Sequence, residues 1–264
     1  MKSLLVIIRG GGDLASGVAA RLFRAGFRII ILEIKHPTAI RLPVSFAKAV
    51  YERKMVLEGI EAVLVSSQKE AENLLHRNKI AVLIDPRGKT IEKLKPSVLI
   101  DAILAKKNLG TCKEQAPLVI GLGPGFIAGK DVDFVVETKR GHDLGRIIYQ
   151  GKAEKDTGIP GKIQGESIKR LLKSPVDGKI KTFHKIGDLI ESGEIIAKIA
   201  GVPLKAEISG VLRGMIDSRI RVTEGMKIGD IDPRGVKKYC FTISDKARSI
   251  GGSVLEIICQ YVNR

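Results

Sequence analysis

Gly10, Gly12 and Ala15, in the stretch VIIRGGGDLASGVAARL from Val6 to Leu22, match the G-x-G-x-x-G/A spacing that seats a pyrophosphate. That chemistry needs glycine because the chain must turn tightly out of a strand and its backbone must come close to the anion. The anion then meets free N–H groups at the positive end of a helix. Gly10, Gly11, Gly12, Leu14 and Ala15 would supply the turn and the amides. Glu33, about twenty residues on, falls where an acidic side chain accepts hydrogen bonds from a ribose. Asp13 argues the other way. A carboxylate where the helix begins caps the same amides and repels a pyrophosphate, so two readings stay open: a ligand cradle and a self-capped structural turn. Gly17 lies further along the helix, where close packing against a strand calls for a small residue.

A second glycine loop, Gly121, Gly123 and Gly125, follows the apolar stretch LVIGLGPGF. If its strand runs parallel to the first, both loops emerge at one edge of a sheet and face one crevice. Lys139, Arg140, His142 and Arg146 then cluster in ETKRGHDLGRII. Arginine offers a planar fork and lysine a point charge, which suits phosphate capture; the alternative is a solvated turn. The segment DPRGKT, Asp85 to Thr90, imitates a phosphate-binding P-loop, but Leu83 stands where that loop needs a glycine. IDPRG recurs at Ile231–Gly235, and both copies read first as type I turns.

Strands and helices must alternate to position these groups. An unbroken apolar run over Leu4–Ile8 predicts a strand buried on both faces, and Leu14, Val18 and Leu22 place one stripe on a helix that Gly26 ends. Strands follow at Ile29–Leu32, Glu61–Val65, Ile80–Ile84 and Val98–Ile100, with helices around Ser45–Arg53 and over Gln68–Arg77. This series predicts an α/β fold, a Rossmann-like doubly wound sheet. The glycine-rich segment GKAEKDTGIPGKIQGE reads as a linker that drapes over the site.

A 32-residue shift aligns Val176 with Ile208, Gly178 with Gly210, Ile180 with Leu212, Ile190 with Val222, Gly193 with Gly225, Ile196 with Ile228 and Ile199 with Ile231. Short apolar alternations between glycine turns predict two like halves packed as a sandwich. The expected domains are therefore residues 1–165, nucleotide-binding; 166–240, the sandwich; and 241–264, a helix packing back on the body, with Ser244 as its N-cap and Ala247, Ile250, Val254 and Ile258 at helical spacing.

The chain has 264 residues, a formal charge of +16 and no tryptophan. Its lysines are scattered and its aromatics few, which argues for a solvated basic surface over a nucleic-acid reader. No apolar run approaches the roughly eighteen residues of a membrane span, and the N-terminal run is too short for a signal peptide, so no membrane association and a cytoplasmic location are expected. Cys112, Cys240 and Cys259 form neither a disulfide framework nor a zinc site; no triad, metal cluster or paired-carboxylate site stands out, and whether the chain is an enzyme stays open.

The segment from SPVDGKI through GDLIESGEIIAKI to AEISGVL and VTEGMKIGDI resembles the biotinyl/lipoyl-like barrel-sandwich hybrid. Carriers of that family present a modifiable lysine at the tip, but here the join reads AGVPLKAE, with Gly201 and Pro203 at the tip and Lys205 off it. No covalent biotin or lipoate is expected, and a docking role follows instead. Together with RGGGDLASGVAARL, GLGPGF, ETKRGHDLGRII, GIPGKI, GMKIGDIDPRG and CFTISDKA, nearly the whole chain resembles the YqeB family of accessory proteins in selenium-dependent molybdenum hydroxylase systems. The first domain is similar to the Rossmann part of XdhC-type chaperones, without the cysteine those carry near the N-terminus. The resemblance implies a maturation protein whose partner is a molybdenum hydroxylase apoenzyme and whose anionic, nucleotide-like ligand is molybdenum cofactor in its cytidine dinucleotide form. The alternatives are an NAD(P)-dependent oxidoreductase and a selenium-installing enzyme using His142 or a cysteine. A homo-oligomer is a further open expectation.

Overall fold

A computed structural model describes residues 4–263 and divides the chain into two compact units. Unit 1 comprises the residues up to Pro37, Ser45–Asp156 and the chain from Ile243 onward; unit 2 comprises Thr38–Val44 and Thr157–Thr242. The units are thus interleaved along the chain, where a simple succession of 1–165, 166–240 and 241–264 was expected.

Unit 1 is α/β. Its elements are β1 (Leu5–Arg9), α1 (Asp13–Arg24), β2 (Arg28–Glu33), α2 (Ala49–Glu52), β3 (Lys54–Leu57), β4 (Ile60–Val65), α3 (Gln68–Leu75), β5 (Ile80–Ile84), α4 (Lys89–Leu94), β6 (Val98–Asp101), β7 (Leu118–Leu122), β8 (Phe134–Val136) and β9 (Ile147–Ile148). Among the described residues they build one nine-stranded sheet in the order β3-β4-β5-β2-β1-β6-β7-β8-β9, parallel from β4 to β8 and antiparallel at both edges. Ile7, Ile30, Leu99 and Val119 are fully buried, as strands covered on both faces require. The order reverses at β1, whose neighbours are β2 on one side and β6 on the other, so their carboxyl ends open a crevice. Beyond β2 comes β5 and only then β4, which departs from the strand order 3-2-1-4-5-6.

Helix α5 (Asp245–Val262) completes unit 1, and the Ser244 hydroxyl caps it by accepting from the Ala247 amide at 3.2 Å. It packs on α1. Gly17 is small for this contact and not for the sheet: a Cβ there would lie 2.6 Å from that of Ala247. The helix expected around Ser45–Arg53 is only the short α2, preceded by two 3-10 turns. Pro43 cannot donate to a helical ladder, and the Phe46 and Ala47 amides are drawn off by Ser16 Oγ and Gly11 O. The Asp85–Gly88 turn forms, with its amide bond at 3.2 Å, and leads into α4, whose Thr90 amide the Asp85 carboxylate accepts at 2.7 Å.

Unit 2 holds β10 (Leu171–Lys173), β11 (Gly178–Thr182), β12 (Leu189–Ile190), β13 (Ile195–Ile199), β14 (Val202–Lys205), β15 (Gly210–Met215), β16 (Arg221–Val222) and β17 (Lys227–Asp232). Among the described residues these form two four-stranded antiparallel sheets, β10-β17-β15-β12 and β14-β13-β11-β16. Strands β11, β12 and β13 correspond to β15, β16 and β17 of the sequence repeat, and pairing is exchanged between the halves: β11 with β16, β12 with β15. Thr38–Val44 joins this unit, Ile40 O accepting from the Met215 amide at 2.8 Å.

Candidate functional site

The crevice at β1 and β6 is built on an ion pair that the strand register dictates. Arg9 and Asp101 are paired residues at the carboxyl ends of their strands, both buried, with Arg9 Nη1 donating to Asp101 Oδ2 at 3.3 Å. Thr111 bridges them: its hydroxyl donates to Asp101 Oδ2 at 2.5 Å and accepts from Arg9. Removing either member of a buried pair leaves an uncompensated buried charge and is strongly destabilising. This network pins the segment Ala102–Gly110 beside the first glycine turn.

The three glycines of that turn have separate tasks. Gly10 has φ +88°, donates to Leu32 O at 2.8 Å, and a Cβ there would sit 3.0 Å from Ala102 O. Gly11 is buried; its amide donates to Glu33 Oε1 at 2.7 Å and its carbonyl accepts from Ser16 Oγ and the Ala47 amide. Gly12 is the N-cap of α1 with extended backbone, and a Cβ there would meet nothing within 4 Å. The N-cap, being glycine, has no side-chain acceptor of its own. First-turn amides have no partner inside a helix, so they present donors toward the open side of Gly12. Leu14 and Ala15 contribute backbone only, because their side chains are core.

Asp13 is the first residue of α1, directly after the glycine N-cap. Its charge acts on Lys246, in the first turn of α5. Burial holds the Lys246 amine below its ordinary range, the Asp13 carboxylate opposes that shift, and Arg140, Asp156 and Glu137 also bear on it. Lys246 thus lies within electrostatic range of both Asp13 in the glycine turn and Arg140 in the RGH loop. Glu33 is buried with both oxygens engaged, Oε2 accepting from the Ile34 amide at 2.8 Å; burial raises its pKa against these two amide bonds.

The second glycine loop lies at the same sheet edge, β7 being parallel to β6 and β6 to β1, but its glycines serve packing. The Cβ positions of Gly121 and Gly123 are filled by Phe126 and the Thr138 hydroxyl, and that of Gly125 by Lys107 backbone at 2.8 Å. Of these neighbours Lys107 belongs to the Ala102–Gly110 segment, which thus stands against Gly125. Arg140 makes a two-pronged pair with Asp245 at 2.7 and 2.9 Å, and Lys139 pairs with Glu154, while His142 is exposed. Carboxylates already hold the forks and charges that the spacing suggested for a ligand.

Sequence reasoning missed Lys246, Asp101 and Thr111. Lys246 did carry a signal, since a cation in the first turn of a helix opposes the macrodipole and needs a reason to be there. Among the described residues no group of three His, Cys, Asp or Glu is placed to hold a metal ion, and no helix is long and apolar enough to cross a membrane.

No protein-family model matches the chain. Among solved structures it is similar to a succinylglutamate desuccinylase/aspartoacylase from Rhodobacter sphaeroides, at 13% identity and a TM-score of 0.28 over 86% of this chain and 84% of that one. It is also similar to the Escherichia coli tRNA N6-threonylcarbamoyladenosine dehydratase TcdA, at 10% identity and 0.33 over 100% and 89%. Likenesses this distant carry no functional weight. The ribosomal protein bL25 of Carboxydothermus hydrogenoformans is 30% identical over 126 residues, 48% of this chain and 59% of that protein. The uncharacterized protein YqeB of E. coli K12 is 48% identical over 260 residues, 98% of this chain. The chain spans about half, 48%, of that relative's length. Identity at this level, unbroken across both units, makes the chain a member of the YqeB family.

Proposed function

We propose that unit 1 binds a dinucleotide-type anionic cofactor at the β1/β6 crevice, in the service of molybdenum hydroxylase maturation. The observation that carries this reading is the start of α1: a helix N-terminus whose N-cap is glycine, at the point where the sheet order reverses, with open space at the Cβ position of Gly12. The α1 amides would hold the pyrophosphate. Lys246 would offset the Asp13 charge beside it, and Glu33, at the end of β2, would meet a ribose without leaving the Gly11 amide, because each carboxylate oxygen accepts more than one bond. Molybdenum cofactor in its cytidine dinucleotide form has the pyrophosphate this seat requires, as does NAD(P).

In this reading unit 1 is a Rossmann-like module with a rearranged outer half, and unit 2 a barrel-sandwich hybrid that docks the hydroxylase apoenzyme. Exposed Phe183, Leu189 and Val202 give unit 2 apolar contact surface, with Leu189 71% exposed. The resemblance to accessory proteins of selenium-dependent hydroxylase systems supports the choice of cargo.

Native mass spectrometry of the protein isolated from its own host tests the ligand class. A pterin dinucleotide supports the chaperone reading, and an NAD(P) mass turns the site toward redox chemistry. Gly12→Val should abolish retention of the ligand and leave the fold intact; unchanged retention overturns the site.

A further inference from the structure

The chain carries a formal charge of +16, and three of its arginines line one pocket of unit 1. A pocket of about 140 Å³ lies where α1 meets the start of α5, lined by Gly17, Arg21, Arg24, Ile243 and Arg248. We propose that this pocket binds a small tetrahedral oxyanion, a phosphate or the phosphoryl group of a phosphate monoester.

Three guanidinium groups line the pocket, and Glu58 is the carboxylate that orders two of them. Its Oε2 accepts from Arg24 Nη2 at 3.1 Å and its Oε1 from Arg248 Nη2 at 2.6 Å, while the Ile243 amide donates to Oε1 at 3.0 Å. Burial works to raise the Glu58 pKa, but these hydrogen bonds and the two arginines hold the carboxyl below its ordinary range. Glu58 therefore stays ionised and fixes two forks from behind. One carboxylate against three guanidiniums leaves an excess of two positive charges, and among the described residues Arg21 has no carboxylate partner.

The placing of Glu58 reinforces the point. It shares the β3–β4 hairpin turn with Gly59, at φ +46° and +82°, a turn ordinarily given to Asn-Gly or Asp-Gly. A longer carboxylate in that strained position reaches Arg24, Arg248 and the Ile243 amide together. Size selects the ligand class, because the pocket is smaller than the roughly 300–1,000 Å³ that encloses drug-sized molecules. It suits one tetrahedral group whose oxygens meet planar arginine donors.

Calorimetric titration of the intact chain with inorganic phosphate, and separately with AMP, tests the proposal. Arg21→Gln removes an exposed side chain outside the Glu58 ties, so it should keep the wild-type melting temperature. Phosphate affinity should drop about tenfold in Arg21→Gln and further in Arg21→Glu, as expected for losing a charge-assisted contact. Tighter binding of AMP than of phosphate, equally sensitive to Arg21, identifies a phosphate monoester as the ligand, and equal binding identifies the free ion. Gly12→Val should leave phosphate binding here unchanged, which separates this pocket from the cofactor seat. No phosphate binding by the wild type, or the same affinity in both Arg21 variants, overturns the proposal.

Discussion

The two glycine loops at the carboxyl edge of unit 1 look alike in the sequence and differ in what stands before them. In the loop after β7, side chains or backbone occupy the space at Gly121, Gly123 and Gly125. In the turn after β1, Gly10 and Gly11 are hemmed in the same way, and Gly12 alone opens onto free space. Glycine relieves crowding at five of these six positions. At the sixth, where the backbone is extended and any residue would fit, the missing side chain leaves a helix start accessible. A ligand site is better located by the glycine that packing does not need.

Substitutions at these glycines should rank accordingly. Gly125→Ala brings a Cβ to 2.8 Å from Lys107 backbone at φ +119°, so chemical denaturation should show a loss of about 2–4 kcal/mol. Gly10→Ala meets Ala102 O at 3.0 Å with φ +88°, and about 1–3 kcal/mol should go. Gly12→Ser should reverse the sign. A serine N-cap accepts from the first-turn amides and adds about a few tenths of a kcal/mol over glycine, while titration of the same variant shows weaker ligand binding because the donors are now taken. A Gly12→Ser variant that is both more stable and fully competent to bind would erase the distinction between the loops.

The smallest effect is one of pH. Because burial lowers the Lys246 pKa, the unfolded chain binds the extra proton between the folded value and the ordinary 10.5. Stability attributable to this group therefore rises with pH across that window and is fully present above it. Lys246→Met should flatten the rise in melting temperature over alkaline pH; an unchanged profile would show that this amine titrates alike in the folded and unfolded chain.

What the sequence disclosed follows the range of the interaction. The repeat in unit 2 was legible because a backbone angle dictates its letters: Gly178 and Gly210 have φ of 159° and 158°, and Gly193 and Gly225 of 87° and 73°. The strands of the sheet and the Ser244 cap were legible through local pattern. The fates of Lys139 and Arg140 were not, since Asp245 lies 105 residues from Arg140 and no local spacing announces it. Gly123 and Gly125 read as cradle glycines for the same reason, their neighbours Thr138 and Lys107 being supplied by other loops. Strand order beyond β2 is likewise a long-range choice that periodicity does not encode.

The interleaving of the units along the chain governs how the protein emerges from a ribosome. Unit 2 is inserted between β9 and α5, so all its strands are translated before the helix that covers α1 exists. Throughout that interval Gly17 and Val18 lack the neighbours Ala247 and Gly251, and a nascent chain carries a bare apolar stripe that chaperones would recognise. Cutting the gene at one point cannot yield both units whole: a fragment starting at Thr157 leaves behind the Ile40 carbonyl that Met215 requires.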